Sequence, residues 1–224
     1  MNRFVSSLRP PTAIFAALVV VATVAGCSAG GGTPSPLPTP SPTATATTAA
    51  SNCPKSQPDP LPAGKNRIVT IETSKGSIQI TVSGNLAPIA AGNFVALVSC
   101  GFYNGLTFHR LMPGFVIQGG DPNGDGTGGP GYTIADELVT ARYQRGTVAM
   151  ARTSQPHSQG SQFFIVLADG AQPALFQANT YAIFGSVTSG METVDAIAAM
   201  PNSGGQEGRA LQPVAMTNVT VTPP

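Results

Sequence analysis

The chain has 224 residues, enough for one well-buried domain with appendages, and it is close to neutral, with 11 Lys and Arg against 10 Asp and Glu. This balance gives no electrostatic footprint for nucleic acid, so a nucleic-acid partner is not expected. With 26 Gly, 21 Pro and only 9% charged residues, turns and loops must form much of the molecule, and an all-helical fold is disfavoured.

Residues 1–26 predict an export signal. Arg3 and Arg9 supply positive charge without an acid, and the small apolar run at 12–25 is shorter than the ~20 residues of a membrane-spanning helix. The run ends in Val24-Ala25-Gly26-Cys27, which resembles a bacterial lipobox. The resemblance implies that Cys27 is lipidated and anchors the chain at the outer face of the bacterial cell membrane. Plain signal cleavage nearby is the alternative.

Residues 27–66 predict a disordered tether. This segment is rich in Pro, Thr and Ala and has almost no large apolar side chain before Leu61, so it cannot bury enough surface to offset chain entropy. Cys53 and Cys100 remain after Cys27 is assigned to the anchor. An exported chain lives where thiols oxidise, so these two residues could form a disulfide. The other possibility, a buried Cys100 and a free Cys53, stays open.

Residues 67–224 predict a single folded domain dominated by strands. Alternating β-branched runs at Arg67–Thr73 and Ser77–Val82 open it as a hairpin. Apolar residues at helical spacing predict helices over Ala87–Ser99 and around Met191–Ala198. The further predicted strands are Thr107–Leu111, Phe115–Gly119, Thr147–Ala151, Phe163–Leu167, Tyr181–Val187 and Pro213–Val221.

Eight strands and two helices fit a mostly β fold, a closed eight-stranded antiparallel barrel capped by the two helices. Composition and period alone do not separate this barrel from a sandwich. The sequence 108–121 sets Arg110 and Gln118 among apolar residues at strand spacing, with Phe115 between them. Together with Ala149-Met150-Ala151 and the run 160–165, it closely resembles the cyclophilin family of peptidyl-prolyl isomerases. The resemblance covers 67–221 and implies the barrel and an enzyme that rotates X-Pro bonds without a cofactor.

Catalytic roles for Arg110 and Gln118 follow from the resemblance. A twisted X-Pro amide returns a lone pair to the prolyl nitrogen, and a donor aimed at that atom, Arg110, would bind the transition state preferentially. Either Leu175 or Phe176 could replace the aromatic wall usual in the family. The residues expected to bind substrate are Phe115, Val116, Met150, Ala151, Arg152, Gln162, Phe164, Leu175, Phe176 and Tyr181.

Strand alternation assigns side chains to faces. It puts Phe163 in the core when Phe164 lines the binding slot, and it turns His109 away from Arg110. Two positions depart from the family pattern, since Arg152 stands where many relatives have Asn and Tyr181 where many have His.

No metal site is expected. The chain has two His and no paired Cys spacing, so a zinc site is not credible. Residues 121–126 match the first half of a calcium loop, but Tyr132 stands where the loop needs Glu.

The expected partners are Pro-containing segments of unfolded or exported proteins, bound by a monomer whose only membrane contact is the lipid anchor. The main alternative is a non-catalytic module that binds Pro-containing segments at the cell envelope. A third reading, a scaffold whose loops bind an envelope partner, rests on the unusual segment 172–179.

Overall fold

The computed structural model of the chain describes residues 52–178 and 180–222. The predicted signal segment, Cys27 and the tether up to residue 51 lie outside the described residues. The strands are β1 Asn66–Thr73, β2 Gly76–Ser83, β3 Thr107–Met112, β4 Val116–Asp121, β5 Thr147–Met150, β6 Phe163–Val166, β7 Ile183–Ser189 and β8 Arg209–Thr222. The helices are α1 Pro88–Ser99, α2 Gln172–Ala178 and α3 Met191–Ala198, and a short 3-10 turn at Asp169–Ala171 precedes α2.

The eight strands close into an antiparallel barrel in the order β1-β2-β7-β5-β6-β4-β3-β8, with β8 pairing back onto β1. The predicted fold class is therefore confirmed. The helix α2 was not predicted, because only Leu175 of its seven residues is buried and so short a segment shows no apolar period. The last strand is longer than predicted at its start. It includes the exposed Pro213, which lies where the pairing with β3 is irregular. Proline has no N–H to donate, and at this position no hydrogen bond of the sheet requires one.

Aromatic rings fill the barrel interior beneath α1. Phe94 of α1 lies 5.1 Å from Tyr103, 5.2 Å from Phe163 and 4.8 Å from Phe184, measured between ring centroids. Such tilted and edge-on pairs are preferred over stacked faces because of the ring quadrupole. The helix thus plugs one end of the barrel and fixes β6 and β7 from the inside.

The helix α1 begins without a capping side chain of its own. The carboxylate of Glu137, far along the chain, accepts hydrogen bonds from the backbone N–H groups of Ile89 and Ala90, each at 2.8 Å. An anion at this end of a helix satisfies unpaired donors and interacts favourably with the helix dipole.

The segment 52–65 is part of the domain, which corrects the predicted extent of the tether. Leu61 is buried and its N–H donates to the Pro88 carbonyl at 2.9 Å. A disulfide joins Cys53 to Cys100, which follows α1. The composition of this segment predicted disorder because its many prolines carry little apolar surface, but one Leu and one disulfide attach it to the helix. Among the residues that the structure describes, no helix combines the length and the apolar character required to cross a membrane.

Candidate active site

A slot of about 160 Å³, with both apolar and polar walls, opens on the outer side of the barrel, over β4, β5 and β6. Its lining consists of Arg110, Phe115, Val116, Gln118, Ala151, Arg152, Phe164, Leu175 and Tyr181. All nine were expected from the sequence. They come from six separate stretches of the chain. The antiparallel order β5-β6-β4-β3 brings four of these stretches side by side, and α2 and the segment before β7 add Leu175 and Tyr181.

Strand alternation decides which side chains of β5 and β6 reach the slot. Phe164 lines it, whereas Phe163 is buried in the interior cluster, as alternation predicted. The same rule corrects one assignment: Met150 was expected in the slot, but it is fully buried in the barrel interior. Ala149 and Ala151 lie on the outer side, so Met150 between them must point inward.

The far wall of the slot is built by α2 and by Tyr181. Leu175 is 4% exposed and lines the slot, whereas Phe176 is 57% exposed and does not. The structure therefore answers the open choice between them in favour of Leu175. Tyr181 packs edge-on against Phe164 with ring centroids 5.4 Å apart, and its carbonyl accepts a hydrogen bond from the buried Tyr143 hydroxyl at 3.0 Å. Burial raises the pKa of Tyr143 to about 12, so this hydroxyl stays protonated and keeps donating.

A chain of polar side chains forms the other wall. The Arg110 Nη1 donates to Gln118 Oε1 at 3.2 Å, and Gln118 Nε2 donates to Gln162 Oε1 at 2.9 Å. The Gln162 Nε2 donates in turn to the carbonyls of Gly126 and Gly128, at 3.0 and 2.9 Å. Each amide is thereby fixed in one orientation. Gln162, expected from the sequence to bind substrate, lies in an adjoining cavity of about 400 Å³ that it shares with Gln118, Ala151 and Arg152 of the slot.

The loop that receives Gln162 is organised by Asp121. This buried carboxylate accepts hydrogen bonds from the backbone N–H groups of Asn123 and Asp125, at 2.8 and 3.0 Å, and from that of Gly126. The motif that resembles half a calcium loop is thus an internally hydrogen-bonded turn. Within residues 52–178 and 180–222, no three His, Cys, Asp or Glu side chains cluster as metal ligands would.

Arg110 is half-buried and its guanidinium is held by neutral groups. Nε donates to the Glu207 carbonyl at 3.2 Å, and Nη2 donates to the Gln206 carbonyl at 2.8 Å. Burial lowers the pKa of Arg110 and the Tyr181 phenol opposes this shift, but a guanidinium stays protonated at any working pH. The site therefore contains a permanent, oriented cation, Arg110, beside apolar side chains.

His109 lies on the same side as Arg110, which corrects the expectation that the two would point apart. The register of β3 with β4 shifts between Phe108 and Arg110, so His109 is the extra residue of a β-bulge relative to β4 and alternation fails there. Both side chains line a second cavity, of about 390 Å³. Burial lowers the pKa of His109, although Asp121 and the Thr107 carbonyl act the other way. A neutral His109 adds no second charge next to Arg110.

Arg152, which also lines the slot, organises the loop that follows it. Its side chain is only 8% exposed, and its Nη1 lies 3.2 Å from the Asp136 carboxylate. Its Nη2 and Nε donate to the carbonyls of Gln155 and Thr153, at 2.6 and 3.2 Å. The cation is therefore engaged by Asp136 and by its own loop.

Four contributors to this geometry were missed by the sequence: Gln206, Glu207, Asp136 and Tyr143. Glycines at 204, 205 and 208 do indicate a tight turn near the first two. No local pattern shows that the carbonyls of this turn meet a side chain about 97 residues earlier in the chain.

Comparison with known proteins agrees with this geometry. A family model described as cyclophilin type peptidyl-prolyl cis-trans isomerase/CLD matches residues 68–221. A peptidyl-prolyl cis-trans isomerase of Acinetobacter baylyi is 40% identical over 163 residues, which are 70% of this chain and 86% of that protein. Peptidyl-prolyl cis-trans isomerase A of Dickeya dadantii is 44% identical over 134 residues, 58% of this chain and 70% of that protein.

Solved structures give the same result. The crystal structure of a cyclophilin type peptidyl-prolyl cis-trans isomerase of Cryptosporidium parvum aligns with a TM-score of 0.64 at 31% identity, over 71% of this chain and 99% of that one. The structure of the same protein in the presence of the dipeptide Ala-Pro aligns with a TM-score of 0.63. The barrel, the slot and these matches together show that the chain belongs to the family of cyclophilin-type peptidyl-prolyl cis-trans isomerases.

Proposed function

We propose that the domain accelerates X-Pro rotation without covalent chemistry, by aiming an N–H of Arg110 at the prolyl nitrogen while the amide is twisted. The barrier to rotation is about 18 to 20 kcal/mol because resonance must be lost. The twisted nitrogen carries a lone pair that the planar amide lacks. A donor directed at this atom therefore stabilises the transition state more than the ground state, which is the requirement for catalysis.

The single observation that carries this proposal is the position of Arg110 at the wall of a slot that also contains the apolar side chains of Phe115, Phe164 and Leu175. The slot suits a proline ring, and excluding water from it strengthens the field of the cation. In the described ranges 52–178 and 180–222, no carboxylate forms a salt bridge with Arg110. The charge is thus not neutralised by an acidic partner before the peptide binds.

Proline-containing peptide segments are the proposed substrates. The Cryptosporidium parvum relative was crystallised in the presence of Ala-Pro, which is consistent with a slot of this size accepting a proline. The Gln118 and Gln162 amides, fixed by the hydrogen bonds above, are proposed to orient the carbonyls that flank the bond. Binding of this kind needs no cofactor.

A protease-coupled isomerisation assay on an Ala-Pro peptide tests the mechanism. Arg110→Ala should lower kcat/KM by about 10² to 10³, as removal of one preorganised donor does in other enzymes. Arg110→Lys keeps the charge but not the planar donor set, and it should recover only part of the loss. Equal rates for the wild type and Arg110→Ala would exclude this role. Tight binding of the peptide with no turnover in either protein would favour the non-catalytic alternative.

We further propose that the protein acts on exported proteins, as a monomer tethered by lipidated Cys27 to the outer face of the bacterial cell membrane. The disulfide between Cys53 and Cys100 supports export, since such bonds persist in oxidising compartments. Stable anchoring requires more than one acyl chain. Residues 27–51 would then connect the lipid to the folded domain.

Two measurements test this location. Expressed in a bacterial host, the full chain should sediment with membranes, and Cys27→Ser should release it into the soluble fraction; a membrane-bound Cys27→Ser protein would refute the lipid anchor. The exported domain, unfolded in denaturant without reductant, should show no reactive thiol at Cys53 or Cys100. Two reactive thiols would remove the support that the disulfide gives to export.

A further inference from the structure

Besides Gln118, the turn Gln206–Gly208 also contacts the guanidinium of Arg110. This turn lies outside the motifs by which the family resemblance is identified. This turn immediately precedes β8, and Arg110 of β3 lies opposite Arg209 of β8 in the sheet. The Leu111 N–H donates to the Gly208 carbonyl at 2.6 Å, which fixes the turn directly against β3. From this position, the carbonyls of Gln206 and Glu207 reach the guanidinium.

We infer that the turn Gln206–Gly208 is a positioning element for catalysis, which leaves only the Nη1 and Nη2 edge of Arg110 available to the substrate. This inference rests on the proposed function of Arg110. A guanidinium has five N–H donors in a fixed plane. The Nε–H and one Nη2–H are used by the turn, and one Nη1–H is used by Gln118. One N–H on each terminal nitrogen remains.

The chemistry of the turn suits this task. Carbonyl groups orient the guanidinium and compensate part of its lost hydration, but they leave its full charge for the twisted amide. A carboxylate at the same place would form an ion pair and would weaken the interaction with the substrate. Three contacts from two sides also fix both the position and the plane of the group, and a misplacement of about 1 Å can cost about 10²-fold in rate.

Gly208 is the residue on which the turn depends. Its φ is +54°, and a Cβ at this position would lie 2.5 Å from the Leu111 carbonyl oxygen, a backbone atom that cannot move aside without shifting β3. Gly205 has a similar φ of +62°, but a Cβ there meets no atom within 4 Å. The two glycines therefore form a matched pair, since Ala introduces comparable backbone strain at both and displaces the turn only at 208.

The experiment measures kcat and KM for Gly208→Ala and Gly205→Ala, each alone and combined with Arg110→Ala. Gly208→Ala should lower kcat about 10 to 100-fold with little change in KM, and Gly205→Ala should stay near wild type. In the Arg110→Ala background, Gly208→Ala should cause no further loss. A wild-type kcat for Gly208→Ala, or an equal loss in both backgrounds, would overturn the inference. A wild-type rate for Arg110→Ala alone would instead refute the proposed function.

A measurement on the unaltered protein covers the case in which Gly208→Ala does not fold. In a proton NMR exchange experiment, the Nε–H of Arg110 should exchange with water at least about tenfold more slowly than that of Arg142, whose residue is exposed. Equal exchange rates for the two Nε–H groups would show that the turn does not hold the guanidinium, and would overturn the inference.

Discussion

The Asp136 carboxylate contacts the Arg152 guanidinium at 3.2 Å and at the same time accepts hydrogen bonds from the His157 backbone N–H and the Gln159 side chain, both at 2.9 Å. Burial raises the pKa of Asp136, but these donors and the charge of Arg152 outweigh it, so the pKa lies below its ordinary value. The side chain of Asp136 thus holds the loop 152–159 against the part of the chain that leads into Glu137.

The lowered pKa predicts how this connection depends on pH. A depressed carboxyl pKa contributes stability that is complete above the unfolded value of about 3.9 and is lost as the pH falls through the folded value. Asp136→Asn should lower the free energy of unfolding by about 1 to 2 kcal/mol at pH 7, and this difference should shrink below about pH 4. Urea unfolding at several pH values checks this. A difference that grows towards acid pH would contradict the assignment.

Leu175 and Phe176 form a natural pair of variants, since both are large apolar residues of α2 and only the first lines the slot. Leu175→Ala should raise KM for an Ala-Pro peptide and lower kcat/KM about tenfold, because the proline ring loses apolar contact. Phe176→Ala should leave the rate within about twofold. The same assay measures both, and far-UV circular dichroism verifies that each variant is folded. A larger loss from Phe176→Ala would mean that the substrate lies over the exposed ring.

Removing Gln162 should affect the rate through Gln118. Without Gln162, the Gln118 amide loses its acceptor and is free to turn its N–H₂ group toward Arg110. We expect Gln162→Ala to lower kcat/KM about tenfold, equivalent to about 1.4 kcal/mol. Gln212→Ala on the exposed side of β8 is the matched control and should be neutral. An unchanged kcat/KM for Gln162→Ala would show that the hydrogen bond between Gln118 and Gln162 does not contribute to catalysis.

The capping of α1 by Glu137 predicts a stability effect independent of the active site. Glu137→Ala removes the acceptor of two backbone N–H groups and should lower the free energy of unfolding by about 1 to 2 kcal/mol. Glu192→Ala, an exposed acid on α3, should change it by less than about 0.5 kcal/mol. Chemical denaturation of the two variants with the disulfide intact distinguishes them. Equal effects would contradict the capping role.

The patterns in the amino-acid sequence predicted most of the strands, and the resemblance carried by its motifs added the closed barrel and most of the slot. Strand spacing and alternation act over a few residues, so they are visible locally: they separate Phe163 from Phe164 and place Arg110 near Gln118. Applied consistently, the same alternation would have placed Met150 in the interior. The enzyme class followed from motifs that are continuous in the chain, which is why a single sequence was enough.

Only the tertiary structure decided what lies opposite each of these side chains. Periodicity shows that a residue faces the core or solvent, but not which carbonyl or carboxylate meets it from a distant segment. The contacts of Arg110 with Gln206 and Glu207 and of α1 with Glu137 are of this kind. The bulge at His109 is another, because it arises from how β3 pairs with β4, and a one-residue shift reverses the face that simple alternation predicts.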